Sequence, residues 1–122
     1  MLIATSNKAS RLLLLTYVGH IQFEEIARLR GDIKTLMDEL TPHLRLLADF
    51  THYESMDVEG VVEMGRIMEM VGQIGPELVV RVIPDPRREP GLNILAVFHY
   101  KQQHPRVITC RNFVEAAKAL SL

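Results

Sequence analysis

Cysteine is nearly missing from this chain of 122 residues. Cys110 is the single one, so no intramolecular disulfide can form and a cysteine-rich zinc site is excluded. That economy suits a reducing cytoplasm. No sign of charge dominates either: 14 Lys and Arg against 15 Asp and Glu leave a formal net charge of −1. Such a chain has no surplus of positive charge with which to hold nucleic acid or an anionic bilayer. Long apolar runs are absent as well. The run Leu12 to Leu15 is too short for a signal core or a membrane span, and Met1 to Asn7 lacks a basic leader, so a soluble, unprocessed protein is expected. Repeats, low-complexity tracts and Gly/Ser linkers do not occur, which makes residues 1–122 one domain with one core.

Chemistry-bearing motifs are equally scarce. His20, His43, His52, His99 and His104 contain no pair at i, i+4 spacing and no HExxH pattern, so no metal site is assigned. Gly60, Gly65, Gly72 and Gly75 form neither GxGxxG nor a Walker loop, and no cofactor is expected.

What is present is alternation of strand and helix patterns. Leu2 to Thr5 and Arg11 to Val18 read as two strands, a hairpin with Ser6-Asn7-Lys8 as turn residues. From Phe23 to Leu40 the residues Ile26, Leu29, Ile33, Leu36, Met37 and Leu40 recur at helical spacing, and Thr41-Pro42 ends that helix. Leu44 to Phe50 is a short apolar run suited to a buried strand. A second helix spans Val58 to about Ile74, with Val61, Met64, Gly65, Met68, Val71 and Gly72 on one face and Glu59, Glu63, Arg66, Met70 and Gln73 on the outer side. Gly75-Pro76 stops it.

Leu78 to Ile83 is the clearest strand, closed by the loop Pro84 to Pro90, in which Arg87 and Arg88 read as solvated charges. For Leu92 to Gln103 a helix with Ile94, Val97 and Phe98 inward is favoured over a strand, which Ile, Val, Phe and Tyr also suit. Arg106 to Cys110 is a last strand and Phe113 to Leu120 a last helix, with Phe113, Ala116, Ala117 and Leu120 inward. The order ββαβαβαβα implies a single α/β domain with a mixed, mostly parallel sheet and helices packed on it.

The stretch Asp49-Phe50-Thr51-His52-Tyr53-Glu54-Ser55-Met56-Asp57-Val58-Glu59-Gly60 lies where the third strand hands over to the second helix. His52 and Ser55 read as solvated neighbours in a loop, and nothing in the spacing forces a nucleophile onto a base, so no catalytic residue is assigned. Tyr53 is left between packing on the sheet edge and facing a partner. Asp57 is placed to cap the second helix, and Glu59 to sit in its first turn, where the helix dipole favours negative charge.

With Asp49-Phe50-Thr51 opening it and Met56-Asp57-Val58-Glu59-Gly60 closing it, the stretch resembles the junction motif of STAS and SpoIIAA-like domains, the anti-sigma factor antagonist type. The tail Val107 to Leu120 is similar to the strand and helix that end such domains. The resemblance implies a non-enzymatic regulatory protein-interaction domain, with a kinase-like or anti-sigma-like protein as partner. The implied binding surface takes in Asp49, Thr51, His52, Tyr53, Ser55, Met56, Asp57, Val58, Glu59 and Gly60, together with Glu63 and Met70 on the second helix. The position of the phosphoacceptor serine is occupied by Val58, which has no hydroxyl, so the usual switch is expected to be absent. Whether Thr51 or Ser55 is modified stays open, as does the oligomeric state, a weak homodimer included. The alternative is carriage or sensing of a small apolar, lipid-like ligand, which calls for an internal cavity beneath the second and third helices.

Overall fold

Polar residues between two apolar runs close the first hairpin. In the computed structural model, which describes residues 1–100 and 105–122, β1 (Leu2–Asn7) pairs antiparallel with β2 (Leu12–Ile21), which continues past Val18. The chain then alternates through α1 (Phe23–Leu40), β3 (Arg45–Met56), α2 (Val58–Ile74), β4 (Leu78–Val82), a short turn of 3-10 helix (Pro86–Arg88), α3 (Glu89–His99), β5 (Val107–Cys110) and α4 (Phe113–Ala119). The strands lie side by side in chain order, and every pair after the first is parallel. Sequential parallel strands joined by right-handed crossovers send each crossover helix to the same face. Hence α1, α2 and α3 cover one face of the sheet and α4 alone covers part of the other.

The period of two along the strands divides the core between these faces. Leu13, Leu15 and Tyr17 of β2 with Leu46, Ala48 and Phe50 of β3 meet Ile26, Ile33 and Met37 of α1 and Met64, Ile67 and Val71 of α2. Their neighbours Leu12, Leu47, Val80 and Val82 turn the other way, onto Ala116 and Leu120.

Three sequence expectations are corrected here. First, residues 51–56 are not a loop: β3 runs on to Met56. Its register against β2 slips twice, between Thr16 and Val18 and between Gly19 and His20, and each slip inserts one extra residue into β3. Two bulges convert an inward period of two into a period of three, so Phe50, Tyr53 and Met56 all face the helices and the strand pattern disappears from the sequence.

Second, the helical reading of Leu92 to Gln103 holds as far as His99, with Tyr100 as the C-cap and residues 101–104 lying outside the described residues. Its inward face is the reverse of the expected one. Leu92, Leu95, Ala96 and Tyr100 pack inward, whereas Ile94, Val97 and Phe98 are exposed. This helix is apolar on two sides, so periodicity alone cannot choose between them. Third, Phe113 is exposed although Ala116 and Leu120 of the same face are buried. Phe113 sits in the first turn of α4, at the rim where β5 has just ended.

Candidate functional site

β3 and α2 meet at Asp57, whose extended backbone suits a helix cap. Its Oδ1 accepts from the backbone N–H of Gly60 at 2.8 Å, and Oδ2 accepts from that of Phe23 at 3.3 Å. One carboxylate thus caps α2, as its sequence position implies, and also satisfies an N–H at the start of α1. Gly60 is buried beneath this cap. A Cβ there would lie 2.5 Å from Met56 Cγ and 2.6 Å from Asp57 Oδ1, so only glycine lets the strand end and the helix start approach so closely. Val58 opens the helix 78% exposed, with Glu59, also exposed, beside it.

Of two residues assigned to an outer binding face, Glu63 is not on it and Met70 is there only in part. Glu63 is buried between α1 and α2, accepting from Arg30 at 2.7 Å and from Arg66 at 2.6 Å. Packing of α1 beside α2 turns that side of α2 inward, and the arginines supply the charge that allows a carboxylate there. Met70 is half-buried and packs against the main core.

On the sheet face away from α1, α2 and α3, Asp49 Oδ1 accepts from the N–H of Thr51 at 2.9 Å and from its hydroxyl at 2.5 Å, which ties Thr51 to the strand. His52 is exposed. Ser55 is paired not with His52 but with His20 of β2, Nδ1 to Oγ 2.6 Å, because the doubly bulged register sets those two opposite each other. Both are exposed, and among the described residues no carboxylate ion-pairs with His20, so the third member of a nucleophile-activating set is missing. Nor do three metal-ligating side chains gather anywhere among the described residues.

Tyr53 faces the helices and ends an aromatic stack. Tyr17 and Phe50 lie parallel at 4.6 Å, and Tyr53 meets Phe50 edge-on at 5.7 Å and Tyr17 at 6.5 Å. Burial raises the Tyr53 pKa against the opposing pull of Arg88, whose guanidinium lies 4.9 Å from the ring centroid. Beyond this pair opens a groove of about 440 Å³ between β3, α2 and α3, lined by Phe50, Tyr53, Met56, Val61, Met64, Leu92 and Leu95, with Arg87 and Arg88 at its rim. The floor residues Phe50, Met64 and Leu92 also border an interior space of about 40 Å³ beneath α2 and α3. Arg81 reaches that space from β4, bonded through Nη2 to Asn93 at 2.6 Å and to the Thr109 hydroxyl at 2.7 Å, and burial lowers its pKa.

Solved structures with this architecture settle its type. The anti-sigma factor antagonist SpoIIAA in its unphosphorylated form superposes with a TM-score of 0.69 at 12% identity, over 99% of this chain and 98% of that one. The fold is SpoIIAA-like. A DUF3478-family protein from Shewanella loihica, itself described as having a SpoIIAA-like fold, gives 0.74 at 11% identity over 98% of this chain and 92% of its own. The Bacillus cell fate determinant SpoIIAA in its phosphorylated form gives 0.65 at 11% identity, over 98% and 99%. No family model and no curated protein matches the sequence. Among the described residues no helix is long and apolar enough to cross a membrane.

Within this SpoIIAA-like fold the sequence-predicted set divides. Thr51, His52, Ser55, Val58 and Glu59 are exposed, Tyr53 and Met56 line the groove, Asp57 and Gly60 hold the junction together, Glu63 ties α2 to α1, Met70 packs on the core and Asp49 holds Thr51. Sequence reasoning gave no site role to Arg88, Ile94, Val97 and Phe98; Arg88 and Ile94 line the groove, and Val97 and Phe98 border a hollow that shares Ile94. The available signal was an excess of apolar residues: α3 carries more of them than one buried face can absorb.

Proposed function

We propose that this chain is a regulatory protein-interaction domain of the anti-sigma factor antagonist kind, and that it works without a serine phosphorylation switch at the start of α2. The observation that carries this reading is the amino end of α2, where Val58 stands 78% exposed behind the Asp57 cap, with Val61 and Val62 exposed in the next turn. An apolar projection at a rigid, capped helix start suits contact with another protein and offers no hydroxyl to a kinase. The partner surface comprises Thr51, His52, Tyr53, Ser55, Met56, Val58 and Glu59. Asp49, Asp57, Gly60, Glu63 and Met70 act by keeping that surface in place.

Carriage of an apolar ligand in the interior has less support. The space beneath α2 and α3, about 40 Å³, admits about two or three waters and not a lipid chain.

A photoactivatable phenylalanine analogue placed at Val58, and separately at Arg28 on the exposed side of α1, tests the reading in cells. The expected result is a discrete protein adduct at Val58 and none at Arg28. Equal labelling at both positions, or none at either, counts against it. Intact mass after incubation with an anti-sigma-type kinase completes the test, a phosphate on Thr51 or Ser55 being the result that would relocate the switch.

A further inference from the structure

Apolar surface continues beyond the groove, because Ile94 of its lining also borders a second hollow with Asn93, Val97 and Phe98. Ile94, Val97 and Phe98 on α3 are 58%, 68% and 66% exposed, and Val58 and Val62 on α2 are 78% and 51% exposed. Exposed apolar surface gathered around a pocket marks a contact site. A small molecule seated in the groove would leave most of these side chains in water. A protein segment lying along it would cover them.

The groove also presents a fixed charge. Arg88 is held over Tyr53, which the Phe50 and Tyr17 rings hold in turn, so the guanidinium is positioned before anything binds. Arg87 is already paired with Asp85 through contacts of 2.9, 3.0 and 3.2 Å, and that contact holds the Asp85 carboxyl down at about 2. Among the described residues no carboxylate forms an ion pair with Arg88. The complement of this site is a carboxylate set beside a large apolar side chain.

We propose that the groove between α2 and α3 docks an acidic amphipathic helix of a partner protein. One large apolar side chain enters over Phe50, Met64 and Leu92, a neighbouring carboxylate pairs with Arg88, and the adjoining turns lie on Ile94 and Val61. A helix is the fitting form because the groove lies over β3, inside the sheet, where no free strand edge offers β-addition. A bilayer is a poor fit, since recognition of anionic lipid draws on clusters of about four to eight cations and this rim has one unpaired. The proposal rests on the protein-interaction reading above and names the partner's chemistry.

Isotope-labelled protein is titrated with a synthetic peptide of about 16 residues, carrying leucines three and four apart flanked by glutamates, and with its lysine counterpart. The acidic peptide should move the amide signals of Tyr53, Val61, Gly91 and Ile94 and bind at least about tenfold more tightly than the basic one. Arg88→Glu should reverse that preference, and Ile94→Asp should weaken both peptides, with thermal melts checking that each variant is folded. Signals unmoved by either peptide, equal affinities, or indifference to Arg88→Glu would overturn the proposal. So would groove signals that respond only to sodium dodecanoate, or to phosphatidylcholine vesicles with about one-third phosphatidylglycerol. A partner captured at Val58 that binds the Arg88→Glu/Ile94→Asp double variant undiminished would remove the groove and leave the protein-interaction reading intact; capture of nothing would remove that reading itself.

Discussion

Arg30 of α1 donates to Glu63 of α2 at 2.7 Å, and this contact, closed from the other side by Arg66 at 2.6 Å, ties together the two longest helices of the fold. Glu63 is only 10% exposed at its side chain, whereas Arg30 is 36% and Arg66 54% exposed. Removing the carboxylate leaves two cations facing one another at a helix interface. Glu63→Gln should cost about 1–3 kcal/mol, less than the 3–5 of a fully sealed pair because both arginines reach solvent. Glu63→Lys should cost more than Glu63→Gln. Urea denaturation measures both, and a silent Glu63→Lys would mean that the contact carries no stability.

Asp57 serves two helix starts with two oxygens. Asp57→Ala should destabilise the domain by about 0.5–2 kcal/mol, and Asp57→Asn by less, because the amide oxygen still accepts from Gly60. Chemical denaturation checks the order of the three proteins. A loss below about 0.3 kcal/mol for the alanine variant would show that solvent replaces the cap at no cost.

Gly65 and His99 define how closely α3 approaches α2. A Cβ on Gly65 would lie 2.5 Å from the His99 ring, whose Nδ1 contacts Glu69 Oε1 at 3.1 Å. Gly65→Ala should therefore displace the ring and cost about 1–3 kcal/mol. His99→Ala should remove most of that cost, so that the double variant is more stable than the sum of the singles predicts. A double-mutant cycle reads this coupling directly.

Alkaline stability should follow the buried phenols. Burial pushes the Tyr100 pKa from 10.0 up to about 12 and raises that of Tyr17 too. A folded-state pKa above the unfolded value means that the native state favours the neutral phenol. The stability it contributes is complete below pH 10 and is lost as pH rises from 10 towards 12. For Tyr100 the loss is on the order of 2–3 kcal/mol. Tyrosinate absorbance against pH, followed alongside circular dichroism, should show the last tyrosines ionising together with unfolding, and Tyr100→Phe should move that transition to higher pH.

Much of this architecture is already determined by the order of residues along the chain. Helical spacing from Phe23 to Leu40 and from Val58 to Ile74 gave both helices their bounds, since each keeps one apolar stripe and ends at an unambiguous stop, Thr41-Pro42 and Gly75-Pro76. The same local logic placed Asp57 at its cap, because the bond to Gly60 spans three residues and needs no distant partner. Tertiary structure decided whatever depends on a neighbour remote in sequence. The bulges that keep 51–56 in the sheet exist only in register with β2, the burial of Glu63 only through Arg30 some thirty residues away, and the outward turn of Ile94, Val97 and Phe98 only because Leu92, Leu95 and Tyr100 found the sheet and α2 first. Periodicity records which side chains share a face; which face meets the core is settled by packing against elements that the local sequence does not contain.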